Sequence, residues 1–559
     1  MRRLLELFHR EFRDVREAAF LLAAATIVSN LLALLRDRLL ASRFGAGPEL
    51  DVYYAAFRIP DLLYAFSLFF VASTVIIPFF LERLTESEEK AREFVSAILF
   101  AFFISIVPLI IILYVSMPYI APYYIPGFDA GSTEEVVRLA RILLLSPLLL
   151  GLSGLVSSVL QACRKFFVYA ASFLFYNAGI IVGILVFVPR WGLRGLGWGV
   201  VLGACLHLLI QMPSLVRSGF VPSFAFGRLS DLAQVFRKSF PRTLGLTLTQ
   251  FTFLAITALA STLSPGSLAI FQLSFNLQAV PFMVIGLSYS VAAFPTMAEL
   301  IVKKERDVFY EHVISSVRHI IFWTLPAAVL FLVLRAHVVR VVLGAGEFGW
   351  ADTRLVAASL AVFSLGIVAQ SLSALYVRAF YAIGNVRIPV FVNMGTFAVT
   401  ILGAYVFVEA LLEMPLARDL FFQILRVSDV PNASVLGLPL AFSVGALVNV
   451  LLLGYYLRRV EGKGIYRSWR LSPFLGEMGC ASALVGVVSY GVLQLTSPML
   501  NTNTFWGIFL HGLIAGICGL GVGVLFLHFL GNKELMDVRS VLGRKFWRKD
   551  VVASLSEQL

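Results

Sequence analysis

The sequence predicts an all-α polytopic membrane protein with about 14 transmembrane helices. Two pseudo-symmetric six-helix lobes are followed by two extra C-terminal helices. Three observations carry this. First, 14% of the 559 residues are charged and 59% are hydrophobic. A soluble domain carries about 25% charge, so a soluble multidomain enzyme is excluded. Second, apolar runs of about 20 residues, the length that spans about 30 Å of hydrocarbon, recur from Ala18 to Leu530. Third, runs such as the one from Ala97 to Ile106 lack the two-residue alternation of a membrane barrel.

The elements follow in order. Residues 1–16 form an amphipathic segment, with Leu4, Phe8, Phe12 and Val15 on one helical face and Arg2, Arg3, Arg10 and Arg13 elsewhere. Apolar sequence continues past Ala25, where a cleavable signal peptide would have ended. Helices at 17–42, 52–81, 94–115, 137–162, 167–188 and 195–216 make the first lobe (17–216), and 217–242 is a cytoplasmic linker. Helices at 243–262, 267–300, 319–334, 355–377, 389–411 and 436–457 make the second lobe (243–457). An outer-face insertion at 412–435 contains the amphipathic stretch Ala417–Arg426. Helices at 475–497 and 504–530 complete the region 475–530. The tail 531–559 sets Leu535, Val538, Leu542 and Phe546 against Arg539, Lys545 and Lys549. Both terminal segments suit anionic lipid at the cytoplasmic leaflet.

The positive-inside rule tests this order. With the N-terminus cytoplasmic, 32 of the 45 Lys and Arg fall on inner segments, 8 on outer loops and 5 within helices. The net charge of +12 therefore reflects topology and gives no reason to expect nucleic acid. Cys163, Cys205, Cys480 and Cys518 lie far apart without a CxxC pair, and read as core residues. No Walker A lysine motif, HExxH or GxSxG occurs, so no cofactor, metal or loop-based enzyme site is expected. Gly195-Leu-Gly197-Trp-Gly199 superficially resembles a nucleotide fingerprint, but within a membrane helix it reads as close helix packing. His207 and His511 read as hydrogen-bonded core or cavity residues.

Ser73–Pro78 and Ser290–Pro295 are similar hexapeptides, each preceded by a Phe-rich helix interrupted by one proline, Pro60 or Pro281. Six helices separate them, so both enter the membrane from the same side. Parallel repeats of this kind place a site between two lobes, and Pro60 and Pro281 become candidate hinges.

Ionisable residues inside a membrane cost at least about 2.5 kcal/mol on the insertion scale and mark functional sites by default. Arg36, Asp37 and Arg38 lie in the first helix and Arg58 in the second. At 1.5 Å per residue, Arg36 and Arg58 both sit roughly 9 Å below an outer helix end. One reading is an anion site, because guanidinium forks match phosphate oxygens. The other is an Asp37–Arg58 pair pinning two helices while Arg38 extends to the interface.

The stretch Leu35-Arg36-Asp37, Phe44-Gly45-Ala46-Gly47, Asp51, Ala56-Phe57-Arg58-Ile59-Pro60 and Pro78 resembles the opening pattern of the MurJ/MviN family of lipid II flippases. That family lies in the multidrug/oligosaccharidyl-lipid/polysaccharide exporter superfamily. Further echoes include Asn177, Gln211-Met-Pro213, Pro241 with Gln250, Gly346-Glu-Phe348, and Leu436-Gly437-Leu438 leading to Asn449. The resemblance implies alternating access around a cationic cavity that takes the pyrophosphate and sugars of an undecaprenyl-linked precursor. It also implies residence in the bacterial cytoplasmic membrane. Arg36 and Asp37 match the family's functional pair, and Arg58 matches a basic position.

Three cavity cations of relatives are replaced. Asn30 stands six residues before Arg36, Tyr64-Ala65 follows the Pro60 segment, and Asn276 precedes Pro281. The resemblance therefore implies that Arg36, Arg58 and the neutral donors Asn30, Asn276 and Gln250 hold the pyrophosphate, with Asp37 positioning an arginine. Ile256 occupies a position where relatives place a sodium-linked Asp or Asn, so sodium coupling is not carried over. The expectation is a lipid II flippase, not an enzyme. The alternatives are a flippase for another lipid-linked oligosaccharide or a non-transporting scaffold of the same fold.

Overall fold

The computed structural model describes residues 15–71, 73–220, 229–461 and 472–547. Residues 1–14 of the amphipathic N-terminal segment, 221–228 of the predicted linker and the last twelve residues of the tail lie outside them. Every predicted span falls on a helix or a run of helices. In order these are α1 (Val15–Phe44), α2 (Pro48–Ala56), α3 (Arg58–Val71), α4 (Ser73–Glu86), α5 (Glu88–Tyr124), α6 (Ala130–Leu143), α7 (Leu145–Ala162) and α8 (Phe166–Val182). They continue as α9 (Val188–Trp191), α10 (Leu193–Leu209), α11 (Met212–Arg217), α12 (Leu229–Ser261), α13 (Ser267–Pro281), α14 (Ser288–Val302), α15 (Arg306–Val333) and α16 (Arg335–Val342). The remainder are α17 (Trp350–Ala382), α18 (Arg387–Glu413), α19 (Pro415–Leu425), α20 (Gly437–Glu461), α21 (Ser472–Thr496), α22 (Phe505–Phe529) and α23 (Lys533–Trp547). Among the described residues, eleven helical stretches are long and apolar enough to cross a membrane, and Thr247–Ser261 is a shorter apolar helix. This is a multi-pass helical membrane protein, and the count is consistent with the predicted fourteen.

Local chemistry explains the boundaries. Ser87 and Asp129 cap α5 and α6 by accepting from Lys90 N (3.1 Å) and Ser132 N (2.6 Å). The cap at Ser87 starts α5 six residues before the predicted membrane entry. The 37 residues of α5 rise roughly 55 Å, so its ends project beyond the hydrocarbon. The second predicted span is interrupted at Phe57, between α2 and α3. Pro60 lacks the N–H that would bond back to Ala56, which accounts for the break. After Pro281 the chain instead makes a π-helical turn, Phe282–Leu287, and a second π segment, Gly183–Phe187, joins α8 to α9.

The fold divides into two compact units. The first comprises residues 1–273, 342–356 and 389–441; the second comprises 274–341, 357–388 and 442–559. In the first unit α8 packs on α1 and α10, and α3 packs on α7 and α12. Glycines let α8 and α10 meet backbone to backbone. A Cβ on Gly179 would stand 2.3 Å from Gly203 Cα, which bears out the packing reading of the glycine stretch. His207 is buried there, its ring nitrogens 2.6 Å from Ser153 Oγ and 3.0 Å from Ser172 Oγ. The predicted amphipathic insertion is α19, which leaves Leu416, Leu420 and Ile424 exposed along one face.

In the second unit α21 and α22 pair closely, and α21 also packs on α15. His511 sits in this unit, 3.1 Å from His337 and 3.0 Å from the Leu493 carbonyl.

Candidate functional site

The first unit gathers the intramembrane charges into two clusters. In one, Asp37 on α1 is 3% exposed and accepts from Arg36 Nη2 (2.8 Å) and Nε (3.0 Å). Arg36 Nη1 reaches Asn177 Oδ1 on α8 at 3.4 Å, and Asn177 Nδ2 donates to Ser29 Oγ at 3.3 Å. These contacts engage all three guanidinium nitrogens through one N–H each and leave 21% of the Arg36 side chain exposed. Tyr53 and Tyr54 on α2 lie within electrostatic reach of Arg36, and the buried Tyr54 hydroxyl has no hydrogen-bond partner among the described residues.

The other cluster surrounds Arg58, the first residue of α3, which is 6% exposed. Its Nε donates to Thr257 Oγ1 (2.7 Å) on α12, and Nη2 donates to Gln272 Oε1 (2.9 Å) on α13. The Phe253 ring lies 5.4 Å from the guanidinium carbon, a cation–π distance. Asp61, one turn along α3, supplies the carboxylate with which Arg58 interacts electrostatically. Thus Asp37 takes Arg36 as its close ion-pair partner, and Arg58 ties α3 to α12 and α13 through neutral acceptors. Arg38 points Nη1 at the Val342 carbonyl, 3.4 Å away, which is the last residue of α16.

The sequence-predicted residues are placed as follows. Asn30 is half-buried on α1, seven residues before Asp37 and so on the same helical face. Gln250 is half-buried on α12, likewise seven residues before Thr257. Asn276 belongs to the second unit. Pro60 follows the Phe57 break and Pro281 precedes the π turn.

Sequence reasoning passed over Asp61, although its spacing from Arg58 puts both on one face of a helix. It also passed over Tyr53, Tyr54, Thr257 and Gln272, none of which carries a charge or motif to betray it. Asp51 had been noted only as part of a motif. Here it accepts from Gly266 N (2.6 Å) and Ala269 N (2.7 Å), capping α13 from 215 residues away in sequence.

Chemically, Arg36 offers the remaining N–H groups of Nη1 and Nη2 beside phenol hydroxyls in a low-dielectric setting, where charge-assisted hydrogen bonds to an anion are strongest. Among the described residues, no group of three or more His, Cys, Asp or Glu is placed to hold a metal.

Comparison with known proteins places the chain in a family. A probable lipid II flippase MurJ from Thermotoga maritima is 30% identical over 381 residues, covering 67% of this chain and 76% of that protein. The lipid II flippase MurJ of Burkholderia cenocepacia is 25% identical over 478 residues, covering 83% and 88%. Among solved structures, lipid II flippase MurJ in an inward closed conformation superposes with a TM-score of 0.71 at 21% identity, covering 91% of this chain and 99% of that one. An inward-facing multidrug resistance MATE family transporter of the MOP superfamily gives 0.62 at 12% identity, covering 78% and 96%, a likeness of fold. The family profile described as lipid II flippase MurJ matches residues 40–510, and the chain belongs to that family.

Proposed function

We propose that this chain is a flippase that carries a polyprenyl-pyrophosphate-linked peptidoglycan precursor, lipid II, from the inner to the outer leaflet by alternating access. Family membership and the relatives' names support the substrate class. The observation on this chain that supports it best is Arg36, partly exposed inside the membrane beside the unpartnered Tyr54 hydroxyl. A pyrophosphate supplies the acceptor oxygens that such donors need.

In this reading Arg36 is the anion contact, Asp37 orients its fork, and Arg58 sets the wall of the site. Asn30, Gln250 and Asn276 serve as neutral donors, and Pro60 and Pro281 as the places where the second and eighth spans bend. The protein would sit in the bacterial cytoplasmic membrane with both termini inside, as the 32-to-8 division of basic residues requires. The terminal amphipathic segments would lie on anionic lipid.

Arg36→Ala should abolish complementation of a flippase-depleted bacterium while the variant still accumulates in the membrane. Full rescue would remove Arg36 from the site. A second reading, a flippase for a different lipid-linked glycan, is favoured by the neutral Asn30 and Asn276 where relatives carry cations. Competition between lipid II and other polyprenyl-pyrophosphate glycans for the purified protein separates the two.

A further inference from the structure

A cleft of about 1360 Å³ opens in the first unit, with neither Arg36 nor Arg58 in its lining. It is larger than the usual 300–1,000 Å³ small-molecule pocket. Its walls are the first turns of α2 and α6, the end of the π segment with α9, and one face of α10. We propose that it binds one zwitterionic, ammonium-bearing phospholipid, with the headgroup at the charged mouth and an acyl chain along α10.

Three features argue for a lipid. The cleft's lining on α10 runs from Arg194 through Trp198, Val201 and Leu202 to Cys205. Those eleven steps rise roughly 16 Å, close to half of the roughly 30 Å hydrocarbon thickness, so the groove is one leaflet deep. A water-soluble sugar or peptide gains nothing from an apolar floor at that depth. Trp191 and Trp198 line the same cleft while exposed by 54% and 43%, the behaviour of tryptophans anchored at a membrane interface. Phe187 and Trp191 meet at 5.1 Å between ring centroids and form one wall. They are brought there by the extra residue of the π segment Gly183–Phe187, a backbone irregularity that recurs at functional sites.

The charges at the mouth select the headgroup. Glu49, Asp129 and Glu135 stand against the single Arg194. Arg194 lies 3.6 Å from Glu135, which also pairs with Arg138 at 2.9 Å. Glu49 is exposed in the first turn of α2. The carboxylates suit an ammonium and Arg194 suits the adjoining phosphate, whereas an anionic headgroup would meet like charge.

Native mass spectrometry of the full chain in detergent tests this, using phosphatidylethanolamine and phosphatidylglycerol of matched acyl chains. The expected result is a preference of about fivefold for the ethanolamine lipid, equivalent to roughly 1 kcal/mol. Glu49→Gln with Glu135→Gln should erase the preference, and Leu202→Trp, which fills the floor, should suppress both adducts. Equal adducts of the two lipids on the unmodified protein would overturn the assignment. So would a preference that survives the paired glutamine substitutions, or adducts indifferent to Leu202→Trp. Transport by Arg36 does not enter the readout, so failure here leaves the flippase reading standing.

Discussion

Arg36, inside α1, and Arg58, the first residue of α3, have matching depths in the sequence reading, yet their surroundings differ in kind. Arg58 is buried against two neutral acceptors on different helices and an aromatic face. Arg36 leans on its own neighbour Asp37, reaches Asn177 at 3.4 Å and keeps a fifth of its side chain open. A guanidinium closed in by the helices it bonds fastens them together. One that is bonded but still 21% open can meet a ligand with its remaining N–H groups. Depth in the membrane does not distinguish a clamp from a site; the exposure left after the protein's own hydrogen bonds does.

The sharpest way to break that contrast is Arg58→Ala. Removing the cation leaves Thr257, Gln272 and Asp61 facing a void, at a cost of roughly 3 kcal/mol, and thermal unfolding in detergent should show the largest loss of the set. Thr257→Val is the milder version. It orphans Arg58 Nε at about 1–2 kcal/mol, with transport falling only as far as folded protein falls. Arg36→Lys keeps the charge beside Asp37 but replaces the planar fork by a point charge. Its thermal midpoint should barely move, while flipping drops about tenfold, or roughly 1.4 kcal/mol. Equal stability losses in the Arg36 and Arg58 variants would erase the distinction.

A pair in water supplies the lower reference. Arg354 holds the exposed Asp429, in the predicted outer-face insertion, at 2.6 Å, and this hydrogen bond pulls the Asp429 carboxyl down to about 2. A depressed carboxylate pKa stabilises the fold above the unfolded value near 4 and loses that contribution as pH falls toward 2. The group is fully exposed, so salt screens the effect. Asp429→Asn should be nearly silent at neutral pH and should flatten the acid limb of the melting profile slightly.

The helices were legible in the sequence because membrane spans are written in long apolar runs, and the Arg36–Asp37 pair because charge is conspicuous there. The amphipathic α19 was legible from its period. The partners of Arg58 were not, since Thr257 and Gln272 are 199 and 214 residues distant and uncharged. The Asp37–Arg58 pairing that spacing allowed gave way to the closer Arg36. Nor could periodicity show the π segments, because one extra residue in a uniformly apolar helix leaves the hydropathy unchanged. The two prolines looked equivalent in sequence; one ends a helix early and the other precedes a widened turn.

The glycine contact between α8 and α10 has a use as a yardstick. With a Cβ on Gly179 only 2.3 Å from Gly203 Cα, the two helices have no side-chain cushion over which to slide. Spin labels placed on their lipid-facing surfaces should therefore report one fixed separation whatever the transport state. Any label pair whose distance changes through the cycle can be read against that constant.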